Sequence, residues 1–215
     1  MSYHIVIPAR MASVRLPGKP LAPVAGHPLI EHVYRRAVAS DAEQVVIATD
    51  SLEIQQVVSA FGGTAVMTSE SHTSGSDRIA ETADLLGWSD EQLIVNLQGD
   101  EPLMPPQCLN QVAGLLQRET AADVASLYWP ISNHEQARDP NVVKVVTGRD
   151  GCALYFSRSE IPHARDPATV HAAARGQYAW KRHIGLYAYR AGALRAYTAM
   201  APSPLEAAEK LEQLR

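Results

Sequence analysis

The stretch YHIVIPARMASVRLPGKPL, Tyr3 to Leu21, indicates both the fold and the site of this chain. It opens with alternating apolar residues, Ile5 and Ile7, bounded by Pro8, a pattern typical of a short buried β-strand. Ligands of α/β proteins bind beyond the carboxyl ends of the strands, so the loop after this strand is expected to lie where a ligand lies. The loop holds three cations, Arg10, Arg15 and Lys19.

This loop suits a polyphosphate. Two prolines stiffen its backbone and Gly18 opens it, while arginine can grip phosphate oxygens with two hydrogen bonds and lysine supplies a compact charge. It is not a Walker A loop, because Pro20 follows Lys19 where Ser or Thr is required, and no GxGxxG supports a dinucleotide fold. The pattern predicts nucleotide binding outside the P-loop class, with a solvated basic surface loop as the alternative.

Composition limits the class of protein. The 215 residues are 46% hydrophobic, enough for one core and one compact domain. The formal net charge of −4 argues against a nucleic-acid binder, which usually carries a basic excess. Two distant cysteines, Cys108 and Cys152, suggest neither a disulfide framework nor a zinc site. No signal-like segment starts the chain and no apolar run has the length of a membrane span, so we expect a cytoplasmic protein.

The first 118 residues alternate between strand and helix patterns, which predicts right-handed crossovers and a largely parallel sheet. The second half is less regular, with several short strands, a hairpin turn at Asp150-Gly151 and a loop or weak helix over Arg165–Tyr178. After the first strand, the expected elements are a helix from Pro28, a strand at Gln44–Asp50, a helix at Ser51–Phe61, a strand at Thr64–Met67, a helix at Asp77–Leu86, a strand at Leu93–Leu97, a helix at Pro105–Arg118, strands at Asp123–Pro130, Val142–Thr147, Cys152–Phe156 and Gly185–Tyr189, and a last helix at Leu205–Leu214.

Asp100 follows a buried strand through Gly99, so its carboxylate is expected over the sheet end near the cationic loop. A triphosphate would repel this carboxylate unless a divalent cation lay between them. Magnesium fits, since proteins bind it with one or two carboxylates plus substrate phosphates. The following Glu101 is expected to point elsewhere. The alternative is that Asp100 merely begins the turn before Pro102.

Two further regions carry polar groups. HTSGSDR, His72–Arg78, offers hydroxyls, amides around a glycine and an arginine that could read a base edge; equally, Ser76 or Asp77 could cap the following helix. YFSR and RHIGLY place cationic and hydroxyl groups beside later strands, which would suit a hydroxylated acid. Taken singly, such residues are more often surface or strand-pairing residues, and His183 has no partner visible in the sequence.

Together these segments resemble the 3-deoxy-manno-octulosonate (Kdo) cytidylyltransferases, also called CMP-Kdo synthetases. The resemblance spans nearly the whole chain, and LQGDEP and YFSR are specific to that family, whereas CMP-sialic acid synthetases share the first loop but usually not the later segments. The segments that carry it are IPARMASVRLPGKPL, VIATD, HTSGSDRIAE, NLQGDEPLMP, ALYFSRSEIP, RHIGLYAYR and PSPLEAAEKLEQLR.

The resemblance implies a fold and a reaction. The fold would be a Rossmann-like, GT-A-like nucleotidyltransferase domain of three layers, with a mainly parallel central sheet and a smaller, irregular, β-rich second half. Residues 1–120 would bind CTP, and residues 121–215 would bind the sugar and form a homodimer, with exposed apolar residues around Ala188–Met200. The reaction would convert CTP and Kdo into CMP-Kdo and pyrophosphate for lipopolysaccharide assembly.

The resemblance also implies residue roles. Arg10, Lys19 and Asp100 would be catalytic, with Asp100 as the Mg²⁺ ligand. The nucleotide would be bound by Ala9, Arg10, Arg15, Lys19, Ser74, Gly75 and Arg78, of which the last three would recognise cytosine. Kdo would be held by Gln98, Arg158, His183, Tyr187, Glu209 and Gln213. No dedicated general base is expected, because catalysis in such families is mostly positioning and electrostatics.

One departure from the family pattern concerns a second metal ligand. The family normally continues past the last helix into a segment containing GVDTPEDLE, whose aspartate is that ligand, and the sequence given ends at Arg215. We therefore expect this chain to bind CTP but to turn over slowly. Kdo and a close analogue such as its 8-amino derivative are not distinguished by the sequence.

Two other function classes compete with the synthetase. A glycosyltransferase with a similar nucleotide domain would carry a DxD-type carboxylate pair, and Asp100-Glu101-Pro102 does not make that pattern. A non-catalytic nucleotide-sensing module would bind CTP without forming a product. Release of pyrophosphate from CTP separates the synthetase from both.

Overall fold

The computed structural model describes residues 2–11, 17–166 and 180–215. Arg15 lies outside them, and so do residues 167–178 of the expected loop or weak helix. The strands are β1 (Tyr3–Ala9), β2 (Pro23–Val24), β3 (His27–Pro28), β4 (Gln44–Thr49), β5 (Ala65–Met67), β6 (Leu93–Asn96), β7 (Val124–Ile131), β8 (Lys144–Thr147), β9 (Ala153–Ser157) and β10 (Trp180–Arg190).

The α-helices in the same ranges are α1 (Leu29–Val38), α2 (Leu52–Ala60), α3 (Gly75–Leu85), α4 (Pro106–Arg118), α5 (His134–Arg138), α6 (Ala191–Ala199) and α7 (Pro204–Glu209), with short 3-10 turns at Lys19–Leu21 and Glu212–Leu214. None of the described helices combines the length and apolar content needed to cross a membrane. The strand–helix alternation expected over the first 118 residues is confirmed.

Two compact units make up the chain. The first contains Met1–Ala125 and Leu186–Ala199, and the second contains Ser126–Gly185 and Met200–Arg215. The segment Leu186–Ala199 therefore belongs to the first unit, although the division made from the sequence placed it in the second half, residues 121–215. The single-domain assignment itself stays a prediction.

The first unit is built on a mainly parallel sheet, as expected. Strands β5, β4, β1 and β6 lie side by side and run parallel, with Ile7 opposite Ile47 and Ile5 opposite Val95. The end of β10 adds an antiparallel strand beside β6, with Tyr189 opposite Ile94. Strands buried on both faces read as continuous apolar runs, which explains why these strands were visible in the sequence.

Helices cover both faces of this sheet. Val6 of β1 packs with Ile79 of α3 and Leu194 of α6 in one buried cluster. Ile5 and Ile7 are also fully buried, and alternation along the strand turns them to the opposite face. On that face α1 and α4 pack against each other and against β1 and β6. The result is the three-layer arrangement expected for the first half.

The second unit is β-rich. Strands β8 and β9 form an antiparallel hairpin around Asp150-Gly151, as predicted, and Gly151 adopts the positive φ of 85° that this turn requires. The start of β10 pairs with β8, and β7 also pairs with β10. Trp180 is fully buried against Ile131, and its indole nitrogen donates a hydrogen bond of 3.0 Å to the carbonyl of Pro162.

The last helix differs from the prediction. Helix α7 ends at Glu209, because Lys210 takes a left-handed conformation with φ 53°. The guanidinium of Arg158 donates to the carbonyl of Glu209 at 2.8 Å, and this tertiary contact holds a carbonyl that would otherwise accept from the next helical turn. The residues Glu212–Leu214 then form a separate 3-10 turn. The expected helix over Leu205–Leu214 is therefore wrong beyond Glu209.

The structure also differs from the sequence-based prediction in two elements near residue 190. Strand β10 begins at Trp180 rather than Gly185, because pairing of Arg182 with Lys144 of β8 extends it through polar residues. Helix α6 was not predicted, and its residues Ala191 and Leu194 are buried in the first unit. Of the exposed apolar surface expected around Ala188–Met200, Ala188, Tyr189, Ala191 and Leu194 are buried in the core. Ala196, Ala199 and Met200 are exposed.

A close approach between two strand ends shapes the edge of the first unit. A Cβ added to Gly99 would lie 2.8 Å from the backbone oxygen of Pro8, a distance that real Cβ atoms do not show. The backbone after β6 can therefore pass the end of β1 only because residue 99 is a glycine.

We predict that Gly99→Ala lowers the free energy of unfolding by about 1–3 kcal/mol, because the methyl group forces backbone atoms apart. Gly185→Ala is the matched control, since a Cβ at that position meets nothing within 4 Å. Denaturant unfolding of both variants measures the difference. Equal stability of the two variants would show that the Pro8–Gly99 approach is not a tight constraint.

Candidate functional site

The candidate site lies at the carboxyl edge of the parallel sheet. Strands β1 and β4 end together, with Ala9 opposite Thr49, and β6 ends at Asn96, opposite Val6 of β1. The segments that follow begin with Arg10, Asp50 and Leu97-Gln98. Ligands of open α/β sheets bind at such an edge, as the sequence predicted for the first loop.

A small pocket of about 160 Å³ opens at this edge. Ligand pockets for whole small molecules are typically on the order of 300–1,000 Å³, so this one fits part of a nucleotide, such as its base. The pocket joins predicted nucleotide residues with Gln98, which was predicted to contact the sugar. The lining residues are Pro8, Ala9, Arg10, His72, Ser74, Gly75, Arg78 and Gln98.

The pocket wall includes the start of helix α3. Ser74 is its N-cap: the Ser74 hydroxyl accepts from the amide of Asp77 at 3.1 Å, and the Asp77 carboxylate accepts from the amide of Ser74 at 3.1 Å. The cap was expected at Ser76 or Asp77, and the structure moves it to Ser74 because Asp77 serves as the reciprocal partner. The positive end of the helix therefore faces the pocket.

Arg78 is held by a carboxylate that the sequence did not single out. The side chain is 3% exposed, and its guanidinium donates to Asp50 at 2.6 Å and to the hydroxyl of Thr68. Asp50 and Thr68 follow neighbouring parallel strands, β4 and β5. The sequence signal that could have identified Asp50 is its position directly after the apolar run VIAT.

His72 also has a fixed partner. Its Nε2 lies 2.5 Å from Oε2 of Glu81, and the same oxygen accepts from the amide of Ser69 at 2.8 Å. Burial alone would raise the pKa of Glu81, but the hydrogen bonds from Ser69 and His72 and the charges of His72 and Arg78 outweigh burial and lower that pKa. The sequence placed His72 in the base-reading segment without assigning it a role.

Lys19 and Asp100 meet as the sequence predicted. The Lys19 ammonium lies 2.6 Å from Oδ2 of Asp100, and both side chains are partly exposed. Arg10 is exposed beside the pocket, and Arg15 lies outside the described residues.

The structure permits a test of the expected magnesium site. In the described ranges, no group of three or more His, Cys, Asp or Glu side chains could by itself hold a metal ion. Magnesium does not need such a cage, because it keeps several waters and takes one or two carboxylates plus substrate phosphates. The half-exposed carboxylate of Asp100, beside a cation that would attract phosphate, fits this mode of binding.

In the second unit, Arg158 and Glu209 hold each other. The Glu209 carboxylate accepts from the Ser157 hydroxyl at 2.6 Å, from the Arg158 amide at 2.9 Å and from the Tyr155 hydroxyl at 3.3 Å. The hydrogen bond from Ser157, followed by that from the Arg158 amide, lowers the pKa of Glu209. The Arg158 guanidinium donates to backbone carbonyls, including those of Glu209 and Pro140.

Lys144 supports the same segment, and sequence reasoning missed it. Its side chain is fully buried, and its ammonium donates to the carbonyls of Asp139, Val142 and Arg158 at 2.8, 2.5 and 2.6 Å. A lysine in a short apolar strand gives no sequence signal of this kind, because the carbonyl of Arg158 that completes its set of acceptors lies 14 residues along the chain.

The other predicted sugar-site residues lie in different surroundings. His183 contacts the Ser126 hydroxyl at 2.9 Å and the ring of Phe156, and burial lowers its pKa to about 4. Gln213 lies in the 3-10 turn Glu212–Leu214. Both belong to the second unit, whereas Tyr187 belongs to the first, where it packs on the buried cluster around Val6.

Known proteins are similar to this chain over nearly its whole length. Residues 4–215 match the family model described as Cytidylyltransferase. The chain is 54% identical over 217 residues to a 3-deoxy-manno-octulosonate cytidylyltransferase of Thioalkalivibrio sulfidiphilus, covering 100% of this chain and 86% of that protein. It is 49% identical to the protein of the same name from Idiomarina loihiensis, covering 100% of this chain and 85% of that one.

Solved structures show the same fold. A CMP:2-keto-3-deoxy-manno-octonic acid synthetase in complex with CTP superposes with a TM-score of 0.89 at 40% identity, covering 100% of this chain and 84% of that one. A 4-diphosphocytidyl-2C-methyl-D-erythritol synthase shares the fold at a TM-score of 0.57 and 14% identity, covering 98% of this chain and 85% of that one. The mainly parallel α/β architecture with an irregular β-rich second half is therefore confirmed.

The surroundings of His183 predict a pH dependence of stability. The unfolded imidazole binds its proton near its ordinary pKa of 6.5, whereas the folded one binds it near 4. The unfolded state therefore binds more protons in this window, and stability present above pH 6.5 is lost as the pH falls toward 4. Between pH 7 and pH 4, the free energy of unfolding should fall by about 3 kcal/mol less in His183→Gln than in the original chain. This follows from about 1.4 kcal/mol per pKa unit.

Denaturant unfolding at both pH values, with the exposed His163→Gln as control, measures this effect. The control should show the same acid loss as the original chain. An equal loss in His183→Gln would mean that His183 is not kept neutral by burial.

Proposed function

The chain belongs to the 3-deoxy-manno-octulosonate cytidylyltransferase family, and from this we infer that it transfers CMP from CTP to Kdo with release of pyrophosphate. The observation that carries this inference is the full-length match: 54% identity to a relative of that name and a TM-score of 0.89 to a synthetase solved with CTP. The pocket at the carboxyl edge of the first unit is consistent with it.

In the proposed reaction, the anomeric hydroxyl oxygen of Kdo attacks the α-phosphorus of CTP. A phosphorus–oxygen bond forms to the sugar, the bond to the bridging oxygen of the β-phosphate breaks, and pyrophosphate leaves in line. The hydroxyl proton passes to solvent, so no dedicated general base is assigned. Most of the acceleration then comes from holding the two substrates in line and stabilising charge on the leaving group.

We assign the triphosphate to the cations of the first loop, Arg10, Arg15 and Lys19. The position of Lys19 beside Asp100, at the sheet edge, supports this assignment. Arg10 lines the pocket and is exposed, so its guanidinium is accessible to phosphate oxygens. Positive charge there would offset the charge that develops on pyrophosphate as it leaves.

We assign the cytosine to the pocket, with Ser74, Gly75 and Arg78 as its contacts and Ala9 beside them. These four residues line one pocket although they come from β1 and from α3 with its N-cap. Arg78 is fixed by Asp50, so its remaining N–H donors are held in place for a base oxygen.

Asp100 is the residue that would hold Mg²⁺. When bound, the ion would polarise the phosphate oxygens and neutralise part of their charge. Lys19 would then be released from Asp100 to contact phosphate. The support is chemical: a carboxylate next to a bound triphosphate is repelled unless a cation lies near it.

Kdo binding is proposed for Gln98, Arg158, His183, Tyr187, Glu209 and Gln213. Their chemistry supports this set, since neutral amide, imidazole and phenol groups suit sugar hydroxyls and arginine suits the sugar carboxylate. His183 in particular is neutral at physiological pH, so its ring can accept or donate one hydrogen bond without carrying charge.

We also propose a homodimer and a cytoplasmic location. Exposed apolar side chains on β7 and β9 of the second unit support self-association, with Trp129 70% and Leu154 69% exposed. The location is supported by the need for CTP as a substrate.

We predict that this chain releases pyrophosphate with CTP, Kdo and Mg²⁺ and not when UTP or sialic acid replaces either substrate. With enzyme in excess over Kdo, a coupled pyrophosphate assay also detects a slow reaction. No release under these conditions would contradict the proposed function, and product formation with sialic acid alone would change the assigned sugar.

We predict that Asp100→Asn lowers kcat/KM by about 100-fold or more and raises the Mg²⁺ concentration for half-maximal rate, because an amide is a weaker ligand than a carboxylate. CTP affinity in EDTA should be unchanged or higher, since a negative charge near the phosphates is removed. Glu101→Gln, at the exposed carboxylate next in sequence, is the control. A similar loss in both variants, or an unchanged magnesium requirement in Asp100→Asn, would remove the metal role of Asp100.

A further inference from the structure

The second unit contains a buried charge that the proposed function leaves without a role. The side chain of Lys144, the first residue of β8, is fully buried. Its ammonium donates to the backbone carbonyls of Asp139, Val142 and Arg158 at 2.8, 2.5 and 2.6 Å. An ammonium has three N–H donors, so these three bonds use all of them. Any effect of Lys144 on the reaction therefore passes through the groups that it holds.

A lysine is a costly residue with which to fill this position. Its three acceptors are neutral carbonyls, and burial, the largest influence, lowers the pKa of the ammonium although the charges of Asp139, Glu160 and Glu209 raise it. Taking a charge out of water costs free energy, and apolar residues of similar volume often stabilise a core as well or better. What the ammonium adds is geometry, because its donors hold three backbone points at fixed distances from one nitrogen.

The three carbonyls belong to the two segments that also hold Arg158. Asp139 and Val142 flank Pro140, whose carbonyl accepts from the Arg158 guanidinium at 3.0 Å. The third carbonyl is that of Arg158 itself. Lys144 thus fixes both the turn that orients the end of the Arg158 side chain and the backbone from which that side chain starts.

The Arg158 guanidinium keeps donors for a ligand while it is held in this way. Its Nε donates to the carbonyl of Glu209 at 2.8 Å, one Nη to Pro140, and the other Nη to the carbonyl of Lys210 at 3.5 Å. A guanidinium has five N–H donors, so two remain, and the side chain is partly exposed. An arginine grips a carboxylate with two hydrogen bonds only when its planar fork has the right orientation.

We propose that Lys144 is a positioning residue for Kdo: its ammonium ties the turn before β8 to the backbone after β9 and so holds the Arg158 guanidinium in place for the sugar carboxylate. This inference rests on the proposed function, because that function assigns Kdo to Arg158. It adds that a buried residue, which touches neither substrate, controls the affinity for one of them.

The test measures kcat and the KM values for Kdo and CTP in Lys144→Met, which keeps the length of the side chain and removes its donors. We expect the KM for Kdo to rise about tenfold or more, because a small displacement of a substrate-holding group has a large effect. The KM for CTP should change by less than about threefold, since the nucleotide is assigned to the first unit.

Lys181→Met is the matched control. Lys181 lies in β10 of the same unit, and its ammonium contacts the Thr147 hydroxyl and the ring of Tyr128 rather than the carbonyl of Arg158. The same substitution there should leave the KM for Kdo within about threefold of the original value.

A double-mutant cycle separates positioning from a general loss of structure. Arg158→Gln removes the guanidinium and keeps the backbone carbonyl that Lys144 holds. Adding Lys144→Met to Arg158→Gln should lower kcat/KM for Kdo by less than about twofold, against about tenfold in the original chain, because two residues that act on one contact are not additive. General damage to the second unit would lower it by the same factor in both backgrounds.

Folding is controlled separately, because three buried carbonyls lose their donors in Lys144→Met. Lys144→Gln keeps two N–H donors, so it is the milder variant, and the cycle is repeated with it. Ile131→Ala removes core packing beside Trp180 rather than a donor, and it should leave the ratio of the two KM values unchanged. Melting temperatures show which variants are folded at the assay temperature.

The inference is overturned if folded Lys144→Met raises the KM for Kdo and CTP alike, leaves both unchanged, or loses the same factor with and without the Arg158 guanidinium. Unfolding of both Lys144 variants would also overturn it, because Lys144 would then serve folding alone. If the original chain releases no pyrophosphate from CTP and Kdo, the proposed function fails, and calorimetric titration of Kdo into the CTP-bound variants still tests Lys144. Equal Kdo affinities, or none in the original chain, would then overturn the inference as well.

Discussion

Parallel pairing of β1 with β4 on one side and β6 on the other is the constraint on which the rest of the first unit depends. It places the carboxyl ends of three strands at one edge, so the segments that follow start from neighbouring points whatever their sequences. The strand ends are close enough that residue 99 must lack a side chain beside Pro8. Every residue of the pocket is brought there by this edge or by the helix start that faces it.

The site pairs its basic side chains with carboxylates before any ligand is bound. The pairs differ in burial, and that difference suggests different roles. They are Arg78 with Asp50, Lys19 with Asp100, and His72 with Glu81. Because the pair of Lys19 and Asp100 is partly exposed and weak, an incoming triphosphate can compete for the lysine. The buried pair of Arg78 and Asp50 is costly to separate, so it serves as a rigid wall of the pocket.

In the second unit, residues assigned to the sugar also hold each other in place. The Glu209 carboxylate has about four lone-pair positions and uses three of them on Ser157, Tyr155 and the Arg158 amide. These bonds fix its orientation and leave one position for the sugar hydroxyl that we propose it binds. Arg158 in return holds the carbonyl at the end of α7, and Lys144 holds the carbonyl of Arg158. Under the proposed function, sugar recognition and folding would therefore use the same side chains.

The sequence by itself determined the strands and helices of the first half, because strands buried on both faces and amphipathic helices leave strong local patterns. It also placed Asp100 near the cationic loop, since both follow parallel strands. Only the tertiary structure decided the partners of Arg78 and His72, the buried position of Lys144, the break of the last helix at Lys210 and the extension of β10. Each of these depends on a contact between residues that are distant along the chain, and local patterns carry no information about which distant groups will meet.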